Sequence, residues 1–456
     1  MTNRKSLLRG ALMLTVVNLL LRFGSTSFQV WLSGRIGAAG IGLMQLVLSV
    51  NMLALTLGAA GGRTTAMYLC AEALGQGRRA DADRILSGCF VYSILCAGTV
   101  SAGLYLLAPK VAQGWIGTME ALPALRTWAS FLPVICRCVV LGSCLGAVLT
   151  LGCLMLLYAR NSGVGESRIP VAKPIARCAL PLAVADDLKA GISAVENLMV
   201  PRRLALYAGA GDPLAAFGRV SGMVFPVMMF PAAILSSLAE VLIPELARCA
   251  AVGSRNRIRY LVRRNLRAAL VYGLCCGGLL FLLAEPLAAR LYPGEDIAQL
   301  LRRFSVLVPM LYCDLIADAM TRGLGQQTAC ARYSIISNVL DVALMYFLLP
   351  RFGIDGYFLS FALTHAVNFA LSLRKVLTIG GVRISGAFAV LTVGAAVFAV
   401  LGGSCFSGVG QRIAAFLGLF FGICFYTGSL TGGDLRWLRG LLFDAEKTAK
   451  NSRCNQ

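Results

Sequence analysis

Long apolar runs alternate with short polar segments along the whole chain. Most runs have about 20 residues, the length that an α-helix needs to cross the hydrocarbon core of a membrane. The pattern therefore predicts an all-α polytopic membrane protein. It places twelve transmembrane helices near residues 10–31, 41–61, 86–108, 128–158, 178–200, 219–246, 268–288, 304–320, 333–350, 355–373, 384–403 and 411–431.

The run at residues 132–157 is unusually long and contains Arg137. Two crossings and a turn need roughly 40 residues, but Ser130 to Ala159 comprises only 30. We therefore expect one long helix, tilted or kinked, in which Arg137 faces a polar cavity or snorkels to the interface.

Composition and charge agree with this class of protein. The chain is 58% hydrophobic and 14% charged, whereas soluble domains are about 25% charged. Of the 42 Lys and Arg residues, 28 fall in loops on the same side as residues 1–9, which predicts a cell-membrane protein with both termini cytoplasmic. The net charge of +21 thus reflects topology and does not indicate a nucleic-acid partner, and the basic stretch 255–267 is expected to meet anionic headgroups.

Metal, cofactor and enzyme chemistry find little support in the sequence. The 16 cysteines lie mostly singly within apolar runs without a Cys-x-x-Cys motif, and His365 is the only histidine. We expect no metal site, no cofactor and no enzymatic activity. Ionisable groups inside a membrane more often mark a transport pathway or a proton relay.

Residues 37–79 and 209–257 share a pattern of a Gly/Ala-rich turn, a Met-rich span and an amphipathic end. Each amphipathic end carries one glutamate, Glu72 or Glu245, followed by Gly and Arg. Internal repeats of this kind are typical of transporters. The predicted spans make the first half two helices shorter than the second.

Several stretches resemble a known family. They are SGRIGAAGIGLMQLVLSV, AMYLCAEALGQGRR, ENLMVPRRL, FPAAILSSLAEVLIPELARCAA and RGLGQQTACARYSIISNVLDVALMYFLLPRFGIDGY. In content and order they are similar to stage V sporulation protein B, of the multidrug/oligosaccharidyl-lipid/polysaccharide flippase superfamily. The resemblance implies two lobes around a central cavity, a MATE-like fold, and export of lipid-linked cell-wall sugars or peptidoglycan precursors by alternating access.

The chain departs from the family plan in the first lobe, where one run at 128–158 replaces three helices. We interpret this as an internal deletion that fuses the start of a fourth helix to the end of a sixth. The expected organisation is then a shortened N-terminal lobe (1–160), a cytoplasmic linker (161–177), a C-terminal lobe (178–375) and an extra helix pair with a tail (376–456).

Candidate substrate-binding residues are basic or acidic groups in or beside spans. An unpaired Arg22 in the first span costs at least about 2.5 kcal/mol, and its guanidinium suits a lipid pyrophosphate; structural pairing or snorkelling is the alternative. Glu196 lies in the weakly hydrophobic fifth span, and Arg202 and Arg203 follow it. These two arginines either receive substrate phosphate or anchor the helix end.

Coupling candidates lie in the eighth and ninth spans. Asp314, Asp318 and Arg322 are spaced at four residues and share a helix face. We expect an Asp318–Arg322 ion pair and consider Asp314 the better candidate for proton or cation coupling, with structural pairing as the alternative. Asp341 has the same ambiguity, because a buried Asp can also hold helices together.

Three functions are therefore compatible with the sequence. The first is a flippase for lipid-linked oligosaccharides, and the second is a multidrug/cation antiporter of the same fold. The third is a shortened paralogue that does not transport. The apolar positions around VFPVMMFP (224–231), where the lipid II flippase branch is charged, weaken a claim to lipid II specifically.

Overall fold

The computed structural model describes residues 4–59, 79–116, 172–209, 211–382 and 386–430, together with a few isolated positions between 62 and 70 and residue 152. These residues are helical or connect helices. The helices are α1 (Arg4–Ala59), α2 (Arg79–Ile116), α3 (Ala172–Leu204), α4 (Pro213–Phe217), a π-helical turn (Gly218–Val224), α5 (Phe225–Met229), α6 (Ala232–Ala251), α7 (Arg255–Leu282), α8 (Ala284–Leu291), α9 (Ala298–Ser305), α10 (Val308–Gly323), α11 (Gln327–Gly380), α12 (Gly386–Ser404) and α13 (Val409–Tyr426).

The all-α membrane class is confirmed within the part of the chain that the structure describes. Six helices there are long and apolar enough to span a membrane, or up to eight if each of two bent helix pairs is one span. Every predicted span except 128–158 coincides with a described helix or bent pair. Arg137, Glu72 and the run 132–157, apart from residue 152, lie outside the described residues. The internal deletion therefore stays a prediction.

The chain divides into two compact units. The larger unit is drawn from Met1–Ala38 and Leu206–Gln456, and the smaller from Ala39–Ala205. This division separates compact parts of the chain and does not test the predicted lobes, so the lobe boundaries stay predictions. In the smaller unit α2 packs against α3.

Helix α11 is a hairpin of two antiparallel helices. A continuous helix of its 54 residues would be about 80 Å long, far more than a bilayer is thick. The helical path breaks at Gly353, which has φ +59° and ψ −133°. On either side of this break, Ser360 Oγ donates a 2.6 Å hydrogen bond to Asp341 Oδ1, although 19 residues separate them. The two arms are therefore neighbouring spans, as the sequence predicts for 333–350 and 355–373.

The backbone conformation at Gly353 yields a stability prediction. A residue with a Cβ is strained at this φ, and the Cβ would lie 2.9 Å from the Tyr207 ring. Gly353→Ala should destabilise the protein by about 2–4 kcal/mol, seen as a lower thermal midpoint in detergent. Gly394→Ala is the control, because Gly394 is in a helix and a Cβ there meets open space. Equal midpoints for the two variants would contradict the assignment of the hairpin turn.

The core of the larger unit lies around α7 and α10. Helix α10 packs against α6, α7 and α11, and α12 and α13 pack against each other and against α7. Gly278 of α7 permits this last contact, since a Cβ there would lie 2.5 Å from Phe416. Helix α10 is thus the element that meets both the bent helix α5–α6 and the hairpin α11, and both carry candidate functional groups.

Candidate functional site

The helix that covers the sixth predicted span is broken near its middle. Segments 213–229 and 232–250 meet at an angle of 63°. Pro231 lies at the junction and has no backbone N–H, so the α-helical hydrogen-bond ladder cannot pass through it. The π-helical turn Gly218–Val224 interrupts the same span earlier. Discontinuous helices of this kind form binding sites near the midplane of many transporters.

Two tyrosines from neighbouring helices bond to backbone carbonyls at the break. Tyr312 of α10 donates its hydroxyl to the carbonyl of Met228 at 2.9 Å, and Tyr272 of α7 donates to the carbonyl of Pro231 at 2.9 Å. The two rings stack with centroids 5.9 Å apart. The junction is therefore held by side chains of two neighbouring helices.

Arg22 and Asn18, from the first half of α1, lie near this junction. Asn18 Nδ2 donates a 3.1 Å hydrogen bond to Ser237 Oγ of α6, which fixes one face of α1 beside the broken helix. Arg22 lies one helical turn further along and is exposed. Its guanidinium is within electrostatic range of the Tyr312 hydroxyl. We call Asn18, Arg22, Ser237, Tyr272 and Tyr312, with the junction 228–232, the bend site.

A second polar group is buried between α10 and the second arm of α11. Both carboxylate oxygens of Asp314 accept hydrogen bonds from Asn368 Nδ2 at 3.0 Å. Asp318 Oδ1 accepts from Ser372 Oγ at 2.8 Å. Both pairs are 54 residues apart in sequence, which shows that the two helices run parallel in register. Asp314 is only 8% exposed, so its carboxylate is almost wholly removed from solvent.

Several buried polar atoms in this region have spare hydrogen-bonding capacity. Within the described residues, Ser337 Oγ, Asn368 Oδ1 and His365 Nδ1 have no hydrogen-bond partner. His365 Nδ1 also lies 3.9 Å from Asp314 Oδ2. Unpartnered buried polar groups are costly and are commonly satisfied by water or an ion. We call Asp314, His365 and Asn368, with the pairs Asp318–Ser372 and Asp341–Ser360, the polar seam.

The other coupling candidates, Arg322, Asp318 and Asp341, have hydrogen bonds within their own helix or across the hairpin. Arg322 is exposed, and its Nε donates to the backbone carbonyl of Asp318 at 3.4 Å. Since Asp318 also has contacts beyond its bond with Ser372, its ion pair with Arg322 stays a prediction. Asp341 is buried at 6% exposure and is hydrogen-bonded across the hairpin, as expected of a residue that holds two helices together.

The remaining predicted residues belong to α3 in the smaller unit. Glu196 and Arg203 are half-buried and Arg202 is exposed. Arg202 and Arg203 occupy the last turn of the helix, where positive charge is favoured by the helix dipole. Each of the three takes part in polar or electrostatic contacts. Their substrate-binding role stays a prediction.

Sequence reasoning missed the partners of the acidic residues. Ser360, Thr364, Asn368 and Ser372 recur at intervals of four along one arm of α11 and are all buried. A polar stripe at this spacing indicates one helix face that meets other polar groups. That spacing was the available signal, because the local neighbours of each aspartate do not reveal a partner 54 residues away.

Comparison with known proteins supports the fold. No protein-family model and no curated protein matches the chain. A solved multidrug resistance MATE family transporter of the MOP superfamily, in an inward-facing conformation, matches with a TM-score of 0.57 and 15% identity over 78% of this chain and 94% of that one. Lipid II flippase MurJ, in an inward closed conformation, matches with a TM-score of 0.63 and 11% identity over 90% of this chain and 98% of that one. The chain is therefore a multi-pass, all-helical membrane protein whose fold is similar to that of these two solved transporters.

Proposed function

We propose that the chain is a flippase that moves lipid-linked oligosaccharides or peptidoglycan precursors across the cell membrane by alternating access, in cell-wall synthesis or sporulation. The observation that carries the proposal is the bend site. There an arginine at mid-span lies beside a discontinuous helix. A guanidinium in a span is costly unless it faces polar surroundings, and it binds phosphate oxygens bidentately.

In this proposal Arg22 binds the pyrophosphate of the carrier lipid. Glu196, Arg202 and Arg203 are further substrate contacts in the smaller unit. The solved structure with the similar fold and the higher TM-score of the two is the lipid II flippase MurJ. This likeness in fold supports a lipid-linked substrate for the present chain, and the sequence resemblance supports a sporulation or cell-wall context.

The polar seam supplies the coupling site in the same proposal. Asp314 is buried, both of its carboxylate oxygens accept from the Asn368 amide, and His365 Nδ1 lies 3.9 Å from its Oδ2. A carboxylate in this environment can take up a proton or a monovalent cation and so change the charge of the helix interface. Asp318, Asp341 and Arg322 shape the interface around it.

The membrane itself is a further partner in the proposal. The first turns of α7 carry the basic stretch 255–267, in which Arg255, Arg257, Arg259 and Arg263 are exposed. Arg257 and Arg264 lie over the exposed ring of Tyr260, with distances of 5.8 and 5.4 Å to its centroid. Such a cluster suits the anionic headgroups of a cytoplasmic leaflet.

Complementation with a drug-tolerance arm tests the proposal against its two alternatives. The native chain should restore growth to a strain depleted of its own flippases and should leave tolerance to cationic drugs unchanged. Raised drug tolerance without rescue would support the multidrug/cation antiporter, for which the MATE neighbour is the supporting observation. Stable membrane insertion with neither effect would support a shortened paralogue that does not transport.

A further inference from the structure

A single hydroxyl group occupies the gap in the broken helix. In a continuous α-helix the N–H of residue 232 would donate to the carbonyl of residue 228. Here the hydroxyl of Tyr312 donates to that Met228 carbonyl at 2.9 Å. The tyrosine hydroxyl thus bonds to the carbonyl that a backbone N–H would reach in a continuous helix.

The surroundings hold this hydroxyl firmly in place. Tyr312 is fully buried, and its ring stacks on Tyr272, whose hydroxyl donates to the carbonyl of Pro231. Gly273 allows α7 and α10 to approach closely beside this pair, since a Cβ there would lie 2.8 Å from the backbone of Pro309. The two tyrosines therefore reach the junction from a closely packed pair of helices.

We infer that Tyr312 is a positioning residue that holds the 63° bend between α5 and α6 and so sets the geometry of the bend site around Arg22. This inference rests on the proposed transport function. Arg22 lies within electrostatic range of the same hydroxyl, so a change in the bend changes the surroundings of the cation that meets the substrate. The segment around residues 228–232 is then the hinge of this span.

Tyr292 provides a matched comparison within the same unit. It is also buried, at 2% exposure, and its hydroxyl donates to a backbone carbonyl, that of Met223, at 3.5 Å. Met223 lies in the π-helical turn and not at the junction. Loss of the Tyr292 hydroxyl removes a comparable buried group but leaves the hydrogen bond to the Met228 carbonyl at the junction intact.

Tyr312→Phe and Tyr292→Phe, made in the full chain, test the inference by two independent readouts. Tyr312→Phe keeps the ring, and loss of one buried hydrogen bond corresponds to about a tenfold change in a local opening equilibrium. We expect amide hydrogen exchange over residues 228–235 to rise by about that factor. We expect the maximal transport rate in proteoliposomes to fall about fivefold or more, with little change in apparent KM or thermal midpoint. Tyr292→Phe should change neither the exchange of this segment nor the transport rate.

The two readouts separate the failure of this inference from that of the proposed function. Unchanged exchange at residues 228–235 in Tyr312→Phe would overturn the inference, whatever the transport result. Faster exchange there with a native transport rate would also overturn it, since Tyr312 would then have only a structural role. If the native chain transports nothing, the proposed function fails. The exchange measurement alone then decides whether Tyr312 holds the bend.

Discussion

Asp314→Asn is expected to reduce transport by at least about 100-fold while leaving the protein folded. The substitution keeps the size of the side chain and its capacity to bond with Asn368, whose Nδ2 lies 3.0 Å from both carboxylate oxygens. It removes the negative charge and the ability to take up a proton or a cation. Because an ionised carboxylate is costly to bury, the variant should be as thermally stable as the native chain or more so.

Asp355→Asn is the matched control for this prediction. Asp355 is also a carboxylate of α11, but its side chain is 70% exposed and pairs with Arg303 at the hairpin end. An exposed ion pair contributes about 0–1 kcal/mol, so this variant should transport at the native rate. Both variants would be assayed for rate in proteoliposomes and for thermal midpoint in detergent. Native rates in Asp314→Asn would exclude Asp314 as the coupling group.

Arg22→Ala is expected to weaken substrate binding strongly, seen as a rise in apparent KM of at least about 30-fold. A guanidinium that bonds two phosphate oxygens contributes charge as well as geometry. Arg22→Lys should therefore recover part of the loss, because an ammonium keeps the charge but not the planar fork. The measurement is transport rate against the concentration of a pyrophosphate-linked lipid, with the three proteins at equal amounts.

Arg35→Ala serves as the control on the same helix. Arg35 is exposed and lies 5.8 Å from the centroid of the Trp31 ring, well along α1 from the bend site. Its loss should leave the apparent KM unchanged. Equal effects of Arg22→Ala and Arg35→Ala would mean that Arg22 acts only through the general positive charge of the chain, which would contradict its role at the bend site.

The sequence predicted the spans well because their signal is local. Apolar runs of membrane length stand out residue by residue, and the turn LPRFGIDG (349–356) separated two spans that the structure joins in one hairpin at Gly353. Asp314 and Asp341 were identified as candidates for the same reason, since a carboxylate inside an apolar run is visible without a fold. Both are buried in polar contacts.

Contacts between helices could not be predicted, because residue spacing along the chain indicates partners on the same helix only. For Asp318 the spacing predicted a partner one turn away, but it could not reveal Ser372 on another helix, which donates a hydrogen bond to its side chain. The apolar run predicted the span at 219–246 but not its break at Pro231. The tyrosines that hold this break come from elements 41 and 84 residues further along the chain, so only the packed fold brings them to the junction.

Transbilayer movement of a purified substrate tests the central claim most directly. A fluorescent oligosaccharide linked by pyrophosphate to a polyprenyl chain would be added to proteoliposomes, and its loss from the outer leaflet would be followed with an impermeant quencher. The account predicts that the native chain moves the lipid at least about tenfold faster than protein-free vesicles and that Asp314→Asn and Arg22→Ala do not. A folded, correctly reconstituted native chain that leaves the lipid at the protein-free rate would contradict it.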